Sequence, residues 1–390
     1  MNPSLRTLGL LALGLVVGLA PLPAAEQPAP KEFFVYFGTY TKAKSKGIYR
    51  ARLDVATGRL SPAELVAETR DPSFVAVNPK GTHLYTIDEG SDPVRTPGKG
   101  VKAYAIDART GALTFLNEQS PGGPGPCHLI VDQSGRCVLV ANYSGGSVAA
   151  LPVAADGRLG PAQSVIQHTG SSVNAARQKA PHAHAIMVSP DNRFAFSPDL
   201  GIDRVLVYRL DAAKASLTPH APAFAAVAPG SGPRHLAFHP GGRFAYVINE
   251  MLCTMTAFSY DAAKGELKEL QTLSTLPPGV SVQKGYSTAE VMAHPGGAFL
   301  YGSNRGHDSI VVYAIDAATG RLTYVAHQPT QGRTPRHFAI DPTGAWLLAE
   351  NQDSDTVAVF GLDAKTGRLT ATGQLLDVPA PVSATFVRVK

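Results

Sequence analysis

The chain has 390 residues, of which 44% are hydrophobic and 17% charged, with 38 glycines and 31 prolines. These proportions supply a large core and exclude wholesale disorder, and glycine and proline without a collagen-like period point to many turns between short strands. The net charge of +5 is small for this length, and with no long block of Lys or Arg it gives no footing for a nucleic-acid partner.

Residues 1–25 read as a signal peptide. Arg6 supplies the positive start, residues 8–20 form an apolar stretch too short to span a bilayer, and small residues favour cleavage after Ala24 or Ala25. An uncleaved anchor is the alternative. No later stretch is apolar for long enough to span a membrane, so 26–390 is expected to be one domain, periplasmic or secreted.

A strand is expected over 33–40, and from there two patterns alternate. The first is an alternating strand, a turn with Asp or Gly, and a Leu opening the next strand. It occupies 47–60, 101–113, 147–159, 204–217, 254–267, 309–322 and 356–369, with close copies such as YAIDARTGAL, YAIDAATGRL and FGLDAKTGRL. The second is an apolar hairpin lying between these copies, six times over, from SFVAVNPKGTHLYTIDE at 73–89 to HFAIDPTGAWLLAENQ at 337–352. A last strand is expected over 382–389. Four-stranded units of roughly 50 residues are the mark of a β-propeller. The expected fold is therefore all-β, a seven-bladed β-propeller whose C-terminal strand joins the N-terminal blade. That closure removes the exposed edges of an open array.

Cys127, Cys137 and Cys253 leave at least one thiol free. No zinc-ligand spacing appears, and these residues read as small buried hydrophobes.

In a propeller, residues just before an inner strand and residues ending the next strand lie at one mouth of the channel. Aligning the six hairpins on Pro79, Gln133, Pro190, Pro240, Pro295 and Pro342 gives four columns there. Six positions before the anchor stand Ser73, Cys127, His184, Arg234, Ala289 and Arg336. Five before stand Phe74, His128, Ala185, His235, Glu290 and His337. Nine after stand Asp88, Asn142, Asp199, Asn249, Asn304 and Asn351. Ten after stand Glu89, Tyr143, Leu200, Glu250, Arg305 and Gln352. The uniform Asp/Asn column reads as short side chains tying down the backbone at strand ends. The other columns vary into charge from blade to blade, which marks a site rather than architecture. Nucleophile-elbow, HExxH, P-loop and dinucleotide motifs are absent, so the mouth offers carboxylate, imidazole and guanidinium chemistry for a polar, anionic substrate.

At these residues the chain resembles the seven-bladed lactonase family, which includes propeller-type 6-phosphogluconolactonases and fungal carboxy-cis,cis-muconate cyclases. The resemblance runs from YFGTYT at 36–41 to the closing strand. Its most specific pieces are PHAH at 181–184, GSGPRHLAFHPGGRFAYVINE at 230–250, SNRGHDSI at 303–310 and TPRHFAIDPTG at 334–344. It implies a lactonase acting on a small polar or acidic sugar-type lactone, without cofactor or metal. By the same resemblance Glu250 is the general base or water-orienting carboxylate, Arg234 and Arg305 hold the oxyanion or anionic groups, and His184 donates or relays a proton. His182, His235, Glu290, Asn304, Arg336 and His337 are the further substrate contacts. Three alternatives stay open: a non-catalytic exported propeller binding a carbohydrate or protein, a muconate-type lactonising enzyme, and a lactonase using Ca²⁺ on the Asp/Asn column. Export fits poorly with a sugar phosphate, and the polar loop 160–180 is long enough to reshape the mouth.

Overall fold

The strands assemble into seven antiparallel four-stranded sheets. The computed structural model describes residues 1, 30–41, 44–92, 94–96 and 98–390, so the expected signal peptide lies, Met1 apart, outside the described residues. Blade 1 combines the chain ends: Pro381–Arg388 is its inner strand, followed outward by Glu32–Thr39, Gly47–Asp54 and Glu64–Glu68. The closing pair runs in register from Phe33 opposite Arg388 to Gly38 opposite Ser383, and then shifts by one residue to set Thr39 opposite Pro381. Blades 2 to 7 follow in chain order, with inner strands Val75–Val77, Pro126–Val131, Met187–Val188, Pro233–Phe238, Ser287–Ala293 and Pro335–Ile340. Among the described residues no helix is long and apolar enough to cross a membrane.

The second strand of each blade is apolar on both faces because it is covered on both. In Glu32–Thr39, Phe33, Val35 and Phe37 pack toward blade 7, while Phe34 and Tyr36 pack toward blade 2. Period two thus splits one strand between two cores. The apolar clusters lie between neighbouring sheets all round the ring rather than in one central core.

The Asp-x-x-Thr-Gly turns lock neighbouring blades together. Asp316 accepts hydrogen bonds from the backbone N–H and hydroxyl of Thr319 at 2.8 and 2.9 Å, and Gly320 takes φ +71°. That glycine lies against the preceding blade, where a Cβ would stand 2.3 Å from the Phe244 ring and where Tyr246 donates to its carbonyl at 3.2 Å. Only glycine meets both the backbone and the space requirement there.

The Asp/Asn column behaves as its uniformity implies. Asn142 donates to the Pro121 carbonyl at 2.9 Å and Asn351 to the Thr330 carbonyl at 2.9 Å, each tying a strand end to the preceding connection. Cys127, Cys137 and Cys253 are buried and unbridged.

Candidate active site

Strict alternation would send Arg234 and His235 to opposite faces of their strand. Instead the pairing passes from Pro233 opposite Asn249 to His235 opposite Ile248, leaving Arg234 as an extra residue in a bulge. The same irregularity falls at Cys127 and at Arg336. Two neighbouring columns can therefore both turn toward the channel axis. Gly232, at φ +64°, makes the turn before this strand, and its carbonyl accepts from the Glu250 N–H at 2.7 Å. Glu250 is fixed in this way at the end of the adjoining strand.

At this mouth opens a cavity of about 590 Å³. Every blade contributes: Tyr40 from blade 1, Glu89 from blade 2, Cys127 and Tyr143 from blade 3, His184 from blade 4, Glu250 from blade 5, Tyr286 and Arg305 from blade 6, and Arg336 from blade 7. Arg177 enters from the long 160–180 loop.

Glu250 is buried among basic side chains. Arg177 Nη2 lies 2.8 Å from Oε1, while Arg305 Nη2 and Arg234 Nε lie 2.9 and 3.3 Å from Oε2, and His184 Nε2 is 3.9 Å away. Burial alone would raise the Glu250 pKa, but Arg305, Arg234 and Arg177 overcome it and bring it down to about 2. Burial, with Arg336 and Arg305 nearby, lowers Arg234 to about 9, so it stays charged at neutral pH. Burial first, then Arg234, holds the His184 imidazole well below its usual range and hence neutral. A second polar group lies across the pocket. The Tyr40 hydroxyl donates to Glu89 at 2.8 Å, and Arg336 stands 4.0 Å from Glu89 and over the Tyr40 ring. Four guanidiniums against two carboxylates leave the site with surplus positive charge, suited to an anionic substrate, intermediate or product.

The structure brings His184, Arg234, Glu250, Arg305 and Arg336 together, and it places the other expected contacts elsewhere. His182 does not line this pocket; it stacks on Tyr143 with ring centroids 4.5 Å apart and holds that side chain from behind. Asn304 is fully buried, exchanging hydrogen bonds with Thr275 at 2.7 and 2.8 Å, as a member of the strand-end column. His235, Glu290 and His337 lie one residue further along the inner strands and form a layer beneath the pocket. His235 Nδ1 is 2.8 Å and His337 Nε2 3.4 Å from Glu290 Oε2, and His337 Nδ1 is 2.8 Å from Glu350. Burial drives His235 down to about 4, leaving it neutral, whereas burial of Glu290 is outweighed by His235 and His337, which bring it to about 2. On its other side this layer floors a second cavity of about 590 Å³, mainly apolar, at the opposite mouth.

Sequence reasoning passed over Arg177, Tyr40 and Tyr286, which lie outside the aligned columns. Glu89 and Tyr143 stood in the same column as Glu250 but were not singled out. Among the described residues no group of three or more His, Cys, Asp or Glu side chains is arranged to hold a metal ion.

A family model described as "Lactonase, 7-bladed beta-propeller" matches residues 34–386. Over 311 residues the chain is 39% identical to a 6-phosphogluconolactonase of Bacillus subtilis, a match covering 80% of this chain and 85% of that protein. It is 34% identical over 312 residues to a 6-phosphogluconolactonase of Formosa agariphila, covering 79% and 86%. The solved structure of a periplasmic gluconolactonase, PpgL, from Pseudomonas aeruginosa superposes with a TM-score of 0.84 at 35% identity, covering 92% of this chain and 100% of that one.

Proposed function

The chain belongs to the seven-bladed β-propeller lactonase family, and from that premise we propose that it is a hydrolase opening a polar or acidic sugar-type lactone in the Glu250 pocket. The observation that carries this reading is the ring of arginines around one open, polar cavity to which every blade contributes. Attack of water on a lactone carbonyl develops an oxyanion, and collapse of that intermediate yields a carboxylate. Fixed guanidiniums stabilise both, and in a partly buried site they act without reorganising at the moment of reaction. Arg305 and Arg177, which line the cavity, are the donors for these charges. Neutral His184 relays the proton that the ring oxygen takes as its bond to the carbonyl carbon breaks.

Glu250 has a different part from the one its position first implies. A carboxylate whose oxygens face three guanidiniums, with its pKa near 2, is a weak base at neutral pH. Its negative charge holds Arg177, Arg234 and Arg305 in place despite their mutual repulsion.

Assay of the purified protein against sugar δ-lactones, with and without a phosphate, tests the reading. Ring opening is expected by proton release, unaffected by EDTA. Arg234→Lys, which loses the planar guanidinium at Glu250, should lower kcat/KM roughly 10- to 100-fold. Failure to open any of these lactones would refute the proposal.

The protein acts after export. The apolar stretch over 8–20, followed by small residues up to Ala25, supports this, and the similar Pseudomonas protein is described as periplasmic. The mass of protein recovered from the cell envelope or medium should correspond to a chain beginning at Ala25 or Glu26. Recovery only from the cytoplasm with residues 1–25 intact would contradict it.

A further inference from the structure

If Glu250 is occupied by arginines, the water that attacks the lactone needs another base. The other carboxylate lining the pocket is Glu89, two residues beyond the second strand of blade 2 (His83–Ile87) and in the same repeat position as Glu250 in blade 5. The surroundings of the two differ. Glu250 has three guanidinium nitrogens within 3.3 Å. Glu89 receives the neutral Tyr40 hydroxyl on both oxygens, at 2.9 and 2.8 Å, and its nearest guanidinium, Arg336, is 4.0 Å away. Its side chain is 27% exposed, against 7% for Glu250. A carboxylate with one neutral donor and open space has lone pairs left for water.

We infer that Glu89 is the general base of the reaction, with Glu250 as the anchor of the arginine cluster. The inference rests on the lactonase reading above. The charged and titratable groups around Glu89 are Tyr40, Arg336, Cys127 and Arg234 nearby, with Tyr143, Arg177, His184, Glu250, Tyr286 and Arg305 around the rest of the cavity. Burial raises the pKa of both the Tyr40 hydroxyl and the Cys127 thiol, so neither competes for the role as an anion at neutral pH.

The step balances without any further reactant. A water hydrogen-bonded to Glu89 attacks the lactone carbonyl carbon, and one of its protons passes to the carboxylate as the C–O bond forms. The carbonyl oxygen becomes an oxyanion beside Arg305 and Arg177. When the intermediate collapses, the ring C–O bond breaks and its oxygen receives the proton from Glu89, directly or through His184. The product is an open hydroxy acid, which ionises and leaves as a carboxylate.

Glu89→Gln keeps the shape and the contact with Tyr40 while removing basicity. Its kcat is expected to fall on the order of 10²- to 10⁴-fold with KM little changed, and its thermal midpoint should stay close to that of the wild type. Glu89→Ala should recover part of its activity in added formate, a small carboxylate able to occupy the vacated space. Glu250→Gln should instead raise KM as the arginines lose their anchor, and Glu250→Ala should not respond to formate. A Glu89→Gln enzyme within a few-fold of wild-type kcat would overturn the assignment. So would formate rescue confined to Glu250→Ala, or no rescue in either variant. A wild-type protein inactive on all the lactones tested would instead overturn the lactonase reading beneath it.

Discussion

At the scale of single residues, the site is a set of buried charges kept in their charged or neutral forms by one another. Glu250 and Glu290 both have folded-state pKa values near 2, below the roughly 4.3 of an unfolded glutamate. A depressed carboxylate pKa adds stability that is fully present above the unfolded value and is lost as pH falls through the folded one. For these two residues the loss runs from about pH 4.3 down to about 2. His235, lowered to about 4 from an unfolded value near 6.5, acts in the same direction over that higher window, because the unfolded chain binds its proton first. The thermal midpoint should therefore begin to drop as pH falls below about 6.5 and drop more steeply below about 4.3. Glu250→Gln should be less stable than wild type at pH 7, since three arginines lose their counter-charge. It should also decline less between pH 4.3 and 3, because one of the titrating groups is gone. Parallel wild-type and variant curves over that interval would show that Glu250 is not held ionised by its neighbours.

At the scale of the element, the sequence was most informative where the structure repeats. The spacing of the Asp-x-x-Thr-Gly turns reveals the blades, because each turn meets a local backbone need and an inter-blade contact at once, as Gly320 does against Phe244. The mouth-facing residues could be found because variation within a column stands out against an otherwise regular pattern. Two features were hidden for physical reasons. Bulges at Cys127, Arg234 and Arg336 separate neighbouring columns into a pocket layer and a layer beneath it, and no residue type announces a bulge in the sequence. His235, Glu290 and His337 therefore looked like substrate contacts, although they sit one level deeper. Arg177 belongs to a loop without a counterpart in the other blades. Its placement depends on tertiary hydrogen bonds such as that from the Gln178 amide to the Leu200 carbonyl at 2.8 Å, which no periodicity encodes.

For the whole molecule, stability depends on the ring being closed. The cluster joining Phe33, Val35 and Leu53 of blade 1 to Leu348, Val357 and Val359 of blade 7 unites the two ends of the chain, and it forms only when blade 1 is brought against blade 7. Pro381–Arg388 makes that connection covalent, since it continues from blade 7 and pairs along Glu32–Thr39. The strand also buries Val382 and Val387 and sets Phe386 edge-on to Phe33, with ring centroids 5.9 Å apart. Each buried valine contributes about 1.5–3 kcal/mol, and the strand hydrogen bonds add to that, against a total stability of about 5–15 kcal/mol for a folded domain. Without the strand, Glu32–Thr39 would become an apolar edge open to pairing with another chain. A protein ending at Ala380 should therefore lose its cooperative thermal transition and aggregate, and a peptide of residues 381–390 added in trans during refolding should restore part of the folded population. A truncated protein that unfolds cooperatively within a few degrees of the full chain would mean that packing between blades 1 and 7 holds the ring without the strand.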